Sequence, residues 1–204
     1  MNRRAMSKRF LNTFATTLSL ALLAACGESA SVDPPLADAA IGGPFELVNS
    51  QGETVRWSDF DGKYRIVYFG YAYCPDVCPL DVQHMMQGYN RFKTAEPALA
   101  AQIQPLFVTI DPERDTPAVV AEFAAAFSDD LLGLTGSPAQ VAAAAKAFAV
   151  YYEKGETSDA GGYLMDHSRA AYLMGRKGEP IALLPVEADD RGESVAAELA
   201  RWVS

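Results

Sequence analysis

Histidine and cysteine are scarce in this chain of 204 residues, with two of the first and three of the second. Three cysteines leave room for one intramolecular pair and an odd thiol, which excludes a disulfide-dense scaffold. Basic charge is also short: 17 Lys and Arg stand against 26 Asp and Glu. Four of the basic residues and none of the acidic ones fall in the first 25 positions, so the rest sets 13 basic against 26 acidic. That balance argues against a nucleic-acid partner and for a basic or metal-bearing one. No internal repeat is present.

The N-terminus lacks an apolar run of membrane-spanning length. Arg3, Arg4, Lys8 and Arg9 precede an apolar stretch from Phe10 to Ala25 that is too short for an ordinary span. It ends in Leu23-Ala24-Ala25-Cys26, which looks like a bacterial lipobox. Residues 1–25 are therefore expected as a signal peptide, with Cys26 as the lipidated first residue of the mature chain. A plain signal peptide cut near Ala25 is the alternative. Lipid on Cys26 also disposes of the odd cysteine and leaves one pair in an oxidising compartment, the bacterial envelope. Residues 26–43 are small, polar and proline-containing, and read as a flexible tether reaching up to roughly 50 Å. Residues 44–204 are one domain's worth.

What is present in strength is a dithiol. Cys74-Pro75-Asp76-Val77-Cys78-Pro79 follows Tyr64-Arg65-Ile66-Val67-Tyr68-Phe69-Gly70-Tyr71, a run aromatic and β-branched enough for a buried strand. The prolines and Asp76 force a turn, and a helical pattern follows. The thiols thus sit at a strand-to-helix switch, where unpaired backbone N–H groups favour a thiolate. A purely structural disulfide is the competing reading, but closing so short a loop constrains the unfolded chain little.

The remaining pattern alternates. Phe45–Val48 and Thr54–Trp57 flank a turn as a hairpin. The helix after Pro79 aligns Cys78, Val82, Met85, Met86, Tyr89 and Phe92 on one stripe, which makes the methionines core rather than thioether ligands. Pro105–Ile110 is a second buried strand. Thr116-Pro117 opens a helix with Val120, Phe123, Ala124 and Phe127 inward. Leu131–Leu134 is a short strand, and Ser137-Pro138-Ala139-Gln140 is a capping box for a helix burying Val141, Ala144, Ala145 and Phe148. Ala170–Met174 and Pro180–Leu184 form a hairpin, and a helix from about Ser194 to Val203 ends the chain. This order is that of an α/β, thioredoxin-like fold.

The two histidines differ. His84 lies roughly 240° round the helix from Cys78, off the apolar stripe, and reads as a solvated surface residue. His167 follows a glycine-containing loop and enters the terminal hairpin, which in a thioredoxin-like fold faces the dithiol turn. Two thiolates and an imidazole form a soft set of three donors suited to Cu(I), whereas zinc would want a fourth. Asp76 either tunes the site or shapes its turn. Asp166 either orients His167 from behind or caps its loop.

Phe69–Pro79, Asp111-Pro112-Glu113-Arg114-Asp115-Thr116-Pro117, Gly133-Leu134-Thr135-Gly136 and Asp166-His167-Ser168 together resemble the Sco/SenC family. The resemblance runs from about residue 40 to the C-terminus. It implies a membrane-tethered, thioredoxin-like copper chaperone that helps assemble the dinuclear copper centre of cytochrome c oxidase subunit II. Other periplasmic copper chaperones or thiol reductants are further implied partners. It implies copper ligands Cys74, Cys78 and His167, and an architectural Asp111–Asp115 loop. Gly175-Arg176 departs from the acidic residue and proline usual after Tyr-Leu-Met.

Two functions compete. One is a metallochaperone; the other is a thiol–disulfide oxidoreductase acting on an exported partner through Cys74 and Cys78. Three residues between the cysteines, against two in the usual redox motif, and the presence of His167 favour the first. Tyr71 stands where peroxiredoxin-like sites have threonine, which argues against a peroxidase.

The lipobox leads to a direct expectation. Mass spectrometry of the membrane fraction should show a mature chain that begins at a diacylglyceryl-modified Cys26. A soluble chain with an unmodified N-terminus would contradict it.

Overall fold

The computed structural model describes residues 33–158 and 161–204. The signal peptide, the lipobox with Cys26 and the first part of the tether lie outside the described residues. From Asp33 onward the chain belongs to the compact unit that ends at Ser204. Residues 33–43, expected as tether, are laid against the domain: Leu36 N–H donates to Ile181 O at 3.0 Å and Gly42 N–H to Ala147 O at 2.8 Å. Small, proline-containing composition signalled an irregular path, but backbone hydrogen bonds fix that path all the same.

The hairpin forms as expected, from β1 (Glu46–Val48) and β2 (Thr54–Arg56), with Trp57–Phe60 turning as a 3-10 helix. The apolar run becomes β3 (Tyr64–Gly70), buried at every position. It leads into α1 (Val77–Ala95) and a single turn, α2 (Pro97–Ala100). Next come β4 (Ile103–Thr109), α3 (Pro117–Ala125), β5 (Leu132–Leu134) and α4 (Pro138–Ala147). Thr116 and Ser137 cap α3 and α4 through their side chains, the second in a full capping box. β6 (Tyr152–Lys154) and β7 (Met165–His167) pair antiparallel, so the segment bearing His167 is a strand rather than the end of a loop. The glycines between them masked the short pairing. β8 (Ala171–Met174), β9 (Pro180–Leu184) and α5 (Glu193–Trp202) complete the chain.

The central sheet has the order β5-β4-β3-β8-β9. β3, β4 and β5 run parallel, while β8 and β9 are antiparallel additions. This is the thioredoxin-like plan. Pro105 is tolerated in β4 because the β5 ladder begins only at Leu106, leaving no partner in β5 for the missing N–H. The stripe predicted on α1 is buried throughout. On α3, Val120 and Ala124 are buried, but Phe123 and Phe127 are only partly so, their rings tilted against each other with centroids 5.1 Å apart.

The helix that carries Cys78 is also held from behind. A Cβ on Gly88 would lie 2.5 Å from Val195 Cβ and 2.8 Å from Gly192 O, so only glycine lets α5 approach α1 this closely. Helix propensity alone favours Gly88→Ala by up to about 1 kcal/mol. Overpacking against a backbone carbonyl costs about 1–3 kcal/mol and outweighs it. Urea unfolding of Gly88→Ala should show a lower midpoint at unchanged slope, whereas a raised midpoint would mean that the helices have room to part.

Candidate metal centre

The first two elements of the site come from the end of β3 and the start of α1. Cys74 N–H donates to Tyr71 O at 3.2 Å, closing the turn, and Cys78 N–H donates to Cys74 Sγ at 3.4 Å. One unpaired donor of the first helical turn is thus used on the outer sulfur. Cys78 is fully buried and Cys74 partly exposed, and both are free thiols. Gly70 makes room for this arrangement, because a Cβ there would press on the Tyr68 ring at 2.9 Å and on Cys78 Sγ at 3.2 Å.

The third element arrives from β7. His167 Nε2 lies 3.1 Å from Cys78 Sγ, and Nδ1 lies 2.8 Å from Ser168 O. A carbonyl oxygen only accepts, so Nδ1 carries the proton and the lone pair of the neutral ring sits on Nε2, facing the sulfur. Tyr68 and Tyr71 flank the imidazole edge-on, with centroids at 6.4 and 6.0 Å and interplanar angles of 88°. Cys74 Sγ, Cys78 Sγ and a His167 nitrogen all lie within 4.8 Å of one another, and among the described residues these three form the group able to hold a metal ion.

Electrostatics at the site differ from the sequence expectation. Burial pushes the Cys78 thiol far above its ordinary range and outweighs the opposing backbone hydrogen bond with Tyr71; neighbouring Cys74 and Asp81 push the same way as burial. Burial likewise lowers the pKa of His167, against the opposing hydrogen bond to Ser168. The resting pair is therefore a neutral thiol donating to a neutral imidazole. Burial, with the nearby cysteines contributing, raises the pKa of Tyr71 to about 12.

Other expectations divide. Asp76 is exposed at the N-cap of α1 and makes no side-chain capping bond. Asp166 is exposed and paired across the strands with Glu153, so the orienting group behind His167 is the Ser168 carbonyl. Side chains alternate along a strand, which turns Asp166 away from the face that His167 uses. His84 is not a solvated residue: its side chain is only 14% exposed and Nδ1 meets Val186 O at 2.9 Å, because chain from beyond β9 covers that side of α1. The Asp111–Asp115 loop is tied internally and to its neighbours. Asp115 Oδ2 accepts from Ala72 N–H at 2.9 Å and Thr109 Oγ1 at 2.6 Å, while Arg114 stacks on Tyr163 at 3.6 Å.

One group was missed. Asp81 is fully buried and accepts from Tyr68 Oη and from both Nε and Nη2 of Arg169. The signal was available: Cys78, Asp81, Val82 and Met85 follow the i, i+3, i+4, i+7 spacing of a buried helix face.

The SCO1/SenC family model matches residues 33–204. Protein SenC of Rhodobacter capsulatus is 43% identical over 144 residues, covering 69% of this chain and 62% of that protein. A mitochondrial SCO2 homolog of Bos taurus is 41% identical over 144 residues, covering 70% of this chain and 53% of its own length. The chain thus spans about half the length of the curated relatives it matches. Among solved structures, Bradyrhizobium japonicum ScoI with copper bound superposes with a TM-score of 0.70 at 35% identity, covering 80% of this chain and 99% of that one. With its match running from Asp33 to the last residue, on a thioredoxin-like domain where two thiols and a distant imidazole converge, the chain belongs to the SCO1/SenC family.

Proposed function

We propose that this protein is a copper chaperone that holds one copper ion through Cys74, Cys78 and His167 and delivers it to the dinuclear copper centre of cytochrome c oxidase subunit II. The observation that carries this reading is the convergence of two thiols and an imidazole within 4.8 Å, with the free lone pair of His167 on the atom that faces the sulfur. The donor set fits the ion. Two soft sulfurs and one nitrogen suit Cu(I), while a zinc site would need a fourth donor and Asp81 is already occupied by Arg169. The copper-bound Bradyrhizobium relative supports the same choice of metal. Delivery fits the uneven burial of the pair: a thiolate of the client reaches the copper beside partly exposed Cys74, and Cys78 lets go last. A lipid on Cys26 would hold the chaperone on the bacterial envelope, facing the periplasm or the outside.

A thiol–disulfide oxidoreductase is the second reading, favoured by one observation: both thiols are free and Cys78 N–H already bonds Cys74 Sγ. The two roles share the sulfurs and separate at the histidine.

Redox state should gate copper. Titrated anaerobically with Cu(I) against a competing chelator, reduced protein should take up one equivalent and the Cys74–Cys78 disulfide form almost none, because a disulfide offers no thiolate. Equal uptake would show that the two cysteines are not both ligands.

His167→Ala should weaken Cu(I) binding by more than about tenfold, since the loss of an outer-sphere partner alone costs that much. Cu(II), which relies more on nitrogen, should lose more. Disulfide exchange by the purified variant should persist, because it needs only an attacking and a resolving thiol. A His167→Ala strain should fail to assemble the oxidase copper centre. Normal assembly with a copper-deficient variant would promote the reductase.

A further inference from the structure

We infer that Asp81 and Arg169 form a brace that holds His167 over the thiol pair, making Arg169 a positioning residue for the proposed site. Strand β7 ends at His167 and β8 begins at Ala171, so residues 168–170 run between two sheets without a ladder of their own. Ser168 ties this link to β6's side of the molecule, through N–H to Tyr151 O at 2.9 Å and through Oγ to Tyr151 N–H at 3.1 Å. Toward α1 the tie is Arg169. Its guanidinium grips the Asp81 carboxylate with two bonds, Nε to Oδ2 at 2.9 Å and Nη2 to Oδ1 at 2.6 Å. Asp81 lies one helical turn beyond Cys78, on the same helix face.

The arrangement braces the imidazole as well as the backbone. Ser168 O, which fixes the His167 tautomer, belongs to the residue between His167 and Arg169. Tyr68 donates to Asp81 Oδ2 at 2.9 Å and packs its ring against His167, so one carboxylate anchors both the segment carrying the histidine and one wall of its slot. With Asp81 buried and Arg169 partly exposed, such a pair contributes little net stability compared with apolar side chains of the same volume. What the paired, two-bond geometry supplies is a defined position.

Arg169→Met alone strands a buried carboxylate, so the primary variant is Asp81→Asn/Arg169→Met, which keeps an acceptor for Tyr68 and no unpaired charge. The first arm uses reduced, metal-free protein and is independent of the copper reading. Nuclear Overhauser contacts from the His167 ring to the Tyr68 and Tyr71 rings should be present in the native protein and lost in the variant. Arg169→Lys should restore them only in part, because a single ammonium does not reproduce the two-bond grip. The second arm rests on the proposed copper function. Cu(I) affinity, read against a competing chelator, should fall about tenfold in the variant but change less than about twofold when His167 is already alanine. Unchanged ring contacts, unchanged affinity, or affinity losses that add in the His167→Ala background would each overturn the brace. If native protein binds no Cu(I), the function fails and the ring contacts alone decide the brace. If the double variant does not fold, Arg169→Lys decides: undiminished contacts overturn the inference.

Discussion

Cys78 Sγ and His167 Nε2 stand 3.1 Å apart although 89 residues separate them, and the order of strands in the central sheet is what makes that contact possible. β3 leads into the thiol turn at its C-terminal end. β8 pairs with it antiparallel, Tyr68 opposite Ala171, so the start of β8 lies beside the end of β3. The residues just before β8, including His167, are therefore delivered to the same end of the sheet as the residues just after β3. β4 runs parallel to β3 and brings Thr109 and the Asp111–Asp115 loop to that end as well. Asp115 then fixes the thiol turn from the other side, through Ala72 N–H. Ligand chemistry at the carboxyl ends of parallel strands is the general habit of α/β sheets; here the chain entering an antiparallel neighbour brings His167 there too.

Burial decides the charge state of the metal-free site. The Cys78 thiol and the His167 imidazole can both be neutral, so they are enclosed at small cost, whereas a thiolate in the place of Cys78 would carry a large desolvation penalty. The full charge buried nearby, on Asp81, is matched by Arg169 and hydrogen-bonded by Tyr68. Arg65 shows the same economy at the other end of β3. It is wholly buried, donates to Gly175 O and to Asp61, and lies over the Trp57 ring at 4.6 Å. At both of these positions a partner is built in for the buried charge.

Much of this was legible from residue pattern alone. β3 is announced by six apolar or aromatic positions in the eight of Tyr64–Tyr71, and α1 by a stripe at spacings of three and four. Caps at Thr116 and Ser137 marked helix starts because their side chains replace missing backbone partners, a purely local effect. What escaped was non-local. β6 and β7 are three residues each and separated by a glycine-containing loop, so neither showed a period long enough to read. His84 fell off the predicted stripe because that stripe counts contacts with one neighbour, while α1 is also covered by α5 and the chain leading to it. Adjacency in sequence leaves Asp166 either orienting His167 or capping its loop; strand alternation, which turns neighbours to opposite faces, removes the first. Asp81 sat in the right period but was passed over as a charge, and its counter-ion lies 88 residues away.

The hydrogen bond between Cys78 and His167 also bears on how the proposed copper site could be ready before the metal arrives. Nδ1 is held by a backbone carbonyl, so the ring cannot turn without breaking that bond. Its free nitrogen then faces the Cys78 sulfur at 3.1 Å. A copper ion held there in place of the thiol proton would meet donors already aimed at it, with the proton lost to solvent. Pre-organisation of this kind lowers the ordering cost of binding. Burial that disfavours a bare thiolate therefore need not disfavour a metal: a bound cation would supply the counter-charge that a Cys78 thiolate lacks in its desolvated pocket.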